Sequence, residues 1–331
     1  MKKKHLLTAL LLAAATLPAA AADGPDASSD PNQKKGEAII TIFTNAHSGF
    51  GHANDDRGFD LERAYIGYQY SLPKGVRLKA VIDFAQLKDQ DVQRVGYVKT
   101  AEVQWKHQGL TLCAGLTSTI QFKTQESFWG KRYILKSFQD EYKFGSSADL
   151  GLTAAYRFSP VLSADVAVFN GEGYKKLQIK DGLQYGAGLT LTPARGWTVR
   201  AYASYNEAAE KFQKGITNLA AFAGYRQQEF SIGAEYNHQF NTGYTDGQDK
   251  SGTSVYATVN ANRRLAFFGR WDWLTSKHHW SDSTDGMAGI VGAEFKLGNY
   301  IKLSPNFRIW DAHQSGTPSS YYAYLNASFS L

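Results

Sequence analysis

Val76-Arg77-Leu78-Lys79-Ala80-Val81-Ile82-Asp83-Phe84-Ala85 is the stretch whose reading decides the fold. Val76, Leu78, Ala80, Ile82 and Phe84 fall on one parity, and Arg77, Lys79, Val81, Asp83 and Ala85 on the other. A period of two marks a strand with one apolar face. A length of about ten residues is what a tilted strand needs to cross a bilayer.

Working outward, the alternation returns in Ala101, Val103 and Trp105 against Glu102, Gln104 and Lys106. It returns again in Leu150, Leu152, Ala154, Tyr156 and Phe158, and in Leu183, Tyr185, Ala187, Leu189 and Leu191. Sixteen such segments are expected, near 37–46, 59–71, 75–86, 97–107, 109–116, 150–158, 161–170, 183–192, 196–206, 216–226, 229–240, 253–262, 264–274, 286–297, 299–310 and 320–331. Their connections alternate between short and long. Short ones centre on Pro73, Gln108, Pro160, Ala194, Gln227, Arg263 and Gly298, while long ones run near 47–58, 87–96, 117–149, 171–182, 207–215, 241–252, 275–285 and 311–319. Outer-membrane barrels keep this rhythm, and a soluble sandwich has no reason to. The fold class is therefore read as all-β: an antiparallel transmembrane β-barrel of about 16 strands, with short periplasmic turns and long extracellular loops.

Aromatic residues bracket the apolar faces, with Tyr97 and Trp105 on one, Trp197 and Tyr205 on another, then Phe230 and Phe240, and finally Tyr321 and Phe329. Such rings are stable at the lipid headgroup level because the body is apolar and the tip polar. The last strand keeps Tyr321, Ala323, Leu325, Ala327, Phe329 and Leu331 on one face, like the C-terminal signal read by outer-membrane assembly machinery, with Leu331 where a terminal Phe is usual. Pro305 falls in mid-strand on the lipid side, where its missing N–H predicts a bulge or a shifted strand boundary.

Lys2, Lys3, Lys4 and His5 precede an apolar run, and Ala19 to Ala22 precede Asp23, so residues 1–22 read as a signal peptide. Residues 23–36 read as a flexible periplasmic segment and 37–331 as the barrel. Export and the barrel pattern together place the expected location in the outer membrane of a Gram-negative bacterium, among membrane lipid and lipopolysaccharide. Without Lys2, Lys3 and Lys4 the formal charge falls from +6 to +3, leaving no strong field for nucleic acid. Cys113 is the single cysteine, so no internal disulfide staples the fold.

No constellation of residues carries an enzyme reading. Neither a G-x-S-x-G nor an H-E-x-x-H spacing occurs. His278 and His279 stand beside Trp280 and Asp282, but a metal site needs more ligands converging there, so no metal or cofactor is expected. Two rivals remain. A phospholipase-type barrel enzyme would put Ser and His on the lipid-facing outside, and a secreted soluble β-rich adhesin would put the aromatics in a core.

Strand parity assigns Arg63, Arg77, Lys79, Lys106, Arg157, Arg200, Arg270, Lys296, Lys302 and Arg308 to the lumen, against Asp83, Glu102, Asp165, Glu235, Asp272 and Glu294. In an aqueous pore such a bias raises the local concentration of anions, unless the charges are paired and merely keep the wall polar. The longest connection, 117–149, carries Lys131, Arg132 and Lys136 among Phe122, Phe128, Trp129, Tyr133, Ile134, Leu135 and Phe138. A loop this apolar packs against a surface, either the barrel interior, as a constriction, or a neighbouring subunit.

Phe59-Asp60-Leu61-Glu62-Arg63-Ala64-Tyr65-Ile66-Gly67-Tyr68, Trp129-Gly130-Lys131-Arg132-Tyr133, and Asp149-Leu150-Gly151 followed by Asn170-Gly171 resemble the phosphate-selective porin O and P family in its broad sense. The resemblance implies a homotrimeric porin of sixteen strands that passes small anions and hydrophilic solutes. It also implies a lumenal arginine ladder, for which Arg63, Arg77, Arg157 and Arg200 are candidates, with Lys131 and Lys136 in the loop. The loops are shorter than those of the best-known members, which leaves the porin class firmer than phosphate selection.

Overall fold

The computed structural model describes residues 35–85, 94–176, 182–313 and 317–331. The expected signal peptide and nearly all of segment 23–36 lie outside the described residues. The strands are β1 (Gly36–Gly51), β2 (Arg57–Ser71), β3 (Val76–Ala85), β4 (Val95–His107), β5 (Leu110–Ser118), β6 (Ala148–Arg157), β7 (Leu162–Phe169) and β8 (Gln184–Leu191). They continue as β9 (Trp197–Asn206), β10 (Ile216–Arg226), β11 (Phe230–Phe240), β12 (Lys250–Asn260), β13 (Leu265–Ser276), β14 (Gly286–Leu297), β15 (Ile301–Ala312) and β16 (Ser320–Ser330). Each pairs antiparallel with its chain neighbours, and β1 closes on β16 from Thr41–Ser330 to Gly51–Ser320. Closure removes the sheet edges, which is what permits strands to span lipid. Among the described residues no helix is long and apolar enough to cross a membrane.

The distribution of side chains is inverted relative to a soluble protein. Leu152 and Val291 are 57% and 61% exposed on the outside, whereas Asp83, Ser254, Ser304 and Asn326 are fully buried inside. Trp105, Trp197, Tyr205, Phe240, Tyr321 and Phe329 stand on the exposed outer face as well. A band of this kind is stable only against hydrocarbon, so the soluble adhesin, which needs these rings in a core, is excluded.

The short turns are tight because their residues accept left-handed backbone. Lys74 and Gly75 have φ of 61° and 76°, and Gln108 and Gly109 have 42° and 84°. Two successive positive values match the twist of a two-strand hairpin. The first long connection proves short. β1 and β2 stay paired out to Ser48–Arg57, leaving only residues 52–56 as a turn, although Gly49, Gly51, His52, Asn54 and Asp55 make the whole of 47–58 look loop-like. Polar strand ends beyond the bilayer need no apolar alternation, so the pattern fades while the ladder continues.

Two bulges change which side chains face inward. The register of β1 on β2 steps from Phe43–Arg63 to Thr44–Leu61, making Glu62 the extra residue, and that of β3 on β4 steps from Val81–Thr100 to Ile82–Val98, making Lys99 extra. Beyond each bulge parity reverses. Tyr97, expected on the lipid face, therefore lies inside, its ring centroid 6.4 Å from that of Tyr174. Pro305 behaves differently from its expected bulge. It is exposed on the lipid side, and β14–β15 keeps one register on either side of it, from Gly292–Asn306 to Phe295–Leu303, with the two intervening pairs missing. The absent N–H removes a piece of ladder without inserting a residue.

Ala187 sits on the lipid face of β8 between Val166 and Ala203. Ala187→Arg should cost about 2–4 kcal/mol, the penalty for a cation on the lipid side near mid-membrane, and Ala187→Leu almost nothing. Refolding yields into lipid vesicles across a urea series check this.

Candidate functional site

Residues 119–147 leave the wall after β5 and re-enter it at β6, with the neck closed by the Thr119 N–H donating to the Ser147 carbonyl at 3.2 Å. The segment folds into the lumen. It carries two short helices, α1 (Lys123–Trp129) and α2 (Phe138–Glu141), and α1 ends at Gly130, whose φ of 64° turns the chain back. Trp129, Tyr133 and Ile134 are buried against Phe222, Tyr256, Phe268 and Ile290, residues of the inner wall. The ring centroid of Trp129 lies 5.8 Å from that of Tyr256 and 5.9 Å from that of Phe268. Of the two packing surfaces considered for this loop, it therefore uses the barrel interior.

Polar anchors complete the docking. Arg200 donates to the Ile120 carbonyl at 3.1 Å, Arg226 to Ser127 at 2.7 Å, Arg308 to Ile134 at 3.0 Å and Arg270 to Lys136 at 2.6 Å. The Tyr133 hydroxyl donates to Glu294 at 2.9 Å and the Tyr142 hydroxyl to Asp272 at 3.1 Å. Each bond satisfies an otherwise orphaned group of the loop or the wall.

The cations singled out from sequence fall into distinct settings. Arg63 pairs with Asp83 at 2.5 Å, Arg77 with Glu102 at 3.3 Å, Arg200 with Asp165 at 2.6 Å and Arg270 with Asp272 at 2.6 Å. These four point inward as parity requires, but as ion pairs rather than as a ladder of free guanidinium groups. Arg157 is exposed at the end of β6, beside the short turns. Lys79 is half-buried on β3 among the charges of Glu102, Arg77, Lys123 and Lys99.

In the loop, Arg132 bonds both Glu126 at 2.8 Å and Asp140 at 2.5 Å, and Lys136 lies 3.4 Å from Glu141. Burial alone would lower the Arg132 pKa, but the two carboxylates raise it above the ordinary arginine value. Lys131, expected to act on ions at the narrowest point, is instead 5% exposed and donates to Thr258 at 2.8 Å on the wall side of the loop. The reason is local: Gly130 turns the chain so that Lys131 follows Trp129 toward Phe268, over whose ring centroid its ammonium sits at 5.2 Å.

Parity alone missed a second set. The Lys99 bulge turns Lys99 inward, where its ammonium bonds the Tyr65 hydroxyl at 3.0 Å and lies 4.3 Å from that ring centroid. Lys175 stands 5.3 Å from the Tyr97 ring centroid, and Tyr174 beside it donates to Asp83 at 2.7 Å. That segment is held in place by Asp149, whose Oδ2 accepts the backbone N–H of Gly171 at 2.9 Å and of Gly173 at 3.1 Å. Neither Lys99 nor Lys175 makes an ion pair among the described residues. For Lys99 the sequence carries a signal: straight parity puts it on the lipid face between Val103 and Tyr97, where a charge is costly.

A cavity of about 860 Å³ toward the long-loop end brings together Arg63, Arg132, Lys136 and Lys175. Six basic residues line it, adding Lys143 and Lys176, against Asp140, Glu172 and Glu207.

The sequence matches no family model and no curated protein. Solved structures do resemble it. OmpF of Salmonella typhi, in complex with daunomycin, superposes with a TM-score of 0.70 at 12% identity over 89% of this chain and 97% of that one. OprB of Pseudomonas putida gives 0.70 at 10% identity over 90% and 94%, and an anion-selective porin of Comamonas acidovorans 0.68 at 10% over 89% and 99%. At such identities the likeness is one of fold: this chain has the sixteen-stranded barrel that porins have.

Two expectations follow from the docking of the loop. Arg270→Met leaves Asp272 buried without its cation and frees the Lys136 carbonyl, so it should destabilise by about 3–5 kcal/mol. The readout is a lower urea midpoint together with faster trypsin cleavage inside 119–147, and Arg157→Met should show neither. The second concerns pH. Burial, opposed by Glu294, pulls the pKa of Lys131 from 10.5 down to about 8. Because the folded value is the lower one, its contribution to stability is complete above about pH 10.5, is lost as pH falls through 8, and the ammonium is penalised in full below that. Lys131→Met should therefore raise stability at pH 7 and flatten the urea-midpoint profile between pH 8 and 10.5 relative to wild type.

Proposed function

We propose that this barrel is a passive porin of a Gram-negative outer membrane, conducting small hydrophilic solutes with a mild preference for anions. The observation that carries the preference is the unequal fate of unpaired charges. Among the described residues Glu235 and Glu294 make no ion pair, yet both are buried behind the inward loop, bonded to Gln139 and Tyr133, and the carboxylates Glu172 and Glu207 that do line the open cavity are outnumbered there by basic residues. Lys79 and Lys99 are half-buried, and Lys175 is exposed and lines the open cavity. Paired charges cancel at a distance, so the field in the passage takes its sign from the excess of unpaired ammonium groups over the carboxylates Glu172 and Glu207.

A dedicated phosphate relay is not part of the proposal. Arg63, Arg77 and Arg200 each have a carboxylate partner that a phosphate would have to displace. Small anions in general are the better substrate class. A homotrimer in contact with lipid and lipopolysaccharide, inserted by outer-membrane assembly machinery, belongs to the same proposal and rests on the sequence resemblance and the apolar outer band.

Zero-current potentials of the channel in a planar bilayer under a KCl gradient test this reading. Wild type should favour chloride mildly, and Lys79, Lys99 and Lys175 changed together to Glu should reverse the sign, with the Gln triple in between. The same change at Lys74, Arg195 and Lys211, exposed in turns and an external loop, should move the potential little, because charges there are screened over about 8 Å at physiological salt. A strongly cation-selective wild type, or equal shifts in both triples, would sink the proposal.

A further inference from the structure

We propose that the connection between β13 and β14 holds a divalent metal ion of the zinc class on His279, Asp282 and Asp285. The sequence alone shows His278, His279 and Asp282 without enough ligands, and the fold supplies the missing one. β13 ends at Ser276, the chain makes a tight turn through Lys277–His279, and Asp285 returns immediately before β14. One donor atom from each of His279, Asp282 and Asp285 then lies within 4.8 Å of the other two.

Two observations separate this from a chance grouping. Asp285 is 1% exposed and uses Oδ2 to accept the Ser276 backbone N–H at 2.8 Å and its hydroxyl at 2.6 Å, while Oδ1 has no hydrogen-bond partner. A buried carboxylate oxygen without a donor is destabilising and calls for a cation. Ser276 holds this carboxylate from one side, as an outer partner orients a metal ligand. The second observation is that Nδ1 of His279 stands 3.2 Å from Oδ1 of Asp282. Two ligands bound at about 2.0–2.1 Å in tetrahedral geometry are themselves about 3.3 Å apart, so this pair is already at the spacing an ion requires. A simple His279–Asp282 ion pair would explain that distance but leaves the Asp285 oxygen unanswered.

One imidazole and two carboxylates suit zinc and its first-row neighbours, whereas calcium and magnesium take oxygen ligands. The side chains of His279 and Asp282 are 67% and 46% exposed, so the ion can enter from outside and keep a water in its open position. Ser283 and Thr284, inside the chelated stretch, line a cavity of about 430 Å³ with Tyr142, Arg308, Tyr322 and Tyr324. The bound ion would stiffen that rim of the lumen. This inference stands apart from the channel reading, since binding can be measured without transport.

Calorimetric titration of the folded full barrel in detergent with zinc chloride tests it, alongside calcium and magnesium chloride. Wild type should bind one zinc ion per chain in a saturable manner, uncompeted by equal calcium or magnesium. His279→Ala and Asp285→Asn should each weaken zinc binding by about tenfold or more, and His278→Ala should not. His279 is largely exposed, so its loss leaves the barrel folded, as retained heat-modifiable gel mobility would confirm. No saturable zinc binding by wild type, or unchanged titrations for His279→Ala and Asp285→Asn, would overturn the proposal. Binding that survives His279→Ala but is competed by calcium would overturn the zinc class.

Discussion

A segment of irregular backbone can lie at membrane depth only if its polar groups find partners within the protein. Residues 119–147 meet this constraint through guanidinium groups from four different strands, which donate to the carbonyls of Ile120, Ser127, Ile134 and Lys136. Much else follows from that arrangement. Two of those arginines, Arg200 and Arg270, are deeply buried and so require a carboxylate, which Asp165 and Asp272 provide. Arg308 uses neutral partners instead, the side-chain carbonyls of Asn306 and Asn326 at 2.9 and 2.8 Å. Inward-pointing arginines that look like a path for anions thus serve first as clamps for the loop that shapes the pore.

The loop in turn decides which wall meets water. Phe222, Tyr256, Phe268 and Ile290 are apolar residues on the inner face of a barrel, where side chains are otherwise polar. They make sense only beneath Trp129, Tyr133 and Ile134. Their cover falls on the wall formed by β10, β12, β13 and β14, and the cavity it leaves is lined by Arg63 of β2 rather than by these side chains. The asymmetry of the lumen was therefore written into the apolar residues of two distant parts of the chain.

How much of this the sequence discloses depends on how local the cause is. All sixteen strands are recognisable because a two-residue period acts on every position, and their ends differ from expectation where polar strand continues past the bilayer, as in Gly36–Gly51. The inward loop is legible too, since its aromatic content has nowhere else to go. The bulges at Glu62 and Lys99 are not visible as turns, and appear only as charges on the wrong parity, so parity points Tyr97 to lipid whereas it faces Tyr174. Pairing is less legible still. Nothing in Arg200 or Asp165 alone says that β7 and β9, two strands apart, bring them within 2.6 Å. The same is true of Asp285, which joins His279 and Asp282 only because the strands bounding their connection are paired.

This hierarchy bears on how selective such a pore can be. A guanidinium locked to a carboxylate presents a dipole, whose field fades with distance faster than that of a charge, and salt water shortens its reach further. A wall built from Arg63–Asp83 and Arg77–Glu102 is thus rigid and polar but nearly neutral to a passing ion. Selectivity then rests on cations that carry no structural bond to a carboxylate, among them the lysines near the Lys99 bulge. Lys99 and Lys175 lie on Tyr65, Tyr97 and Tyr174, whose ring faces attract an ammonium without neutralising it. Aromatic seats thus hold the charges in place and leave their positive potential available to the passage, which carboxylate partners would not.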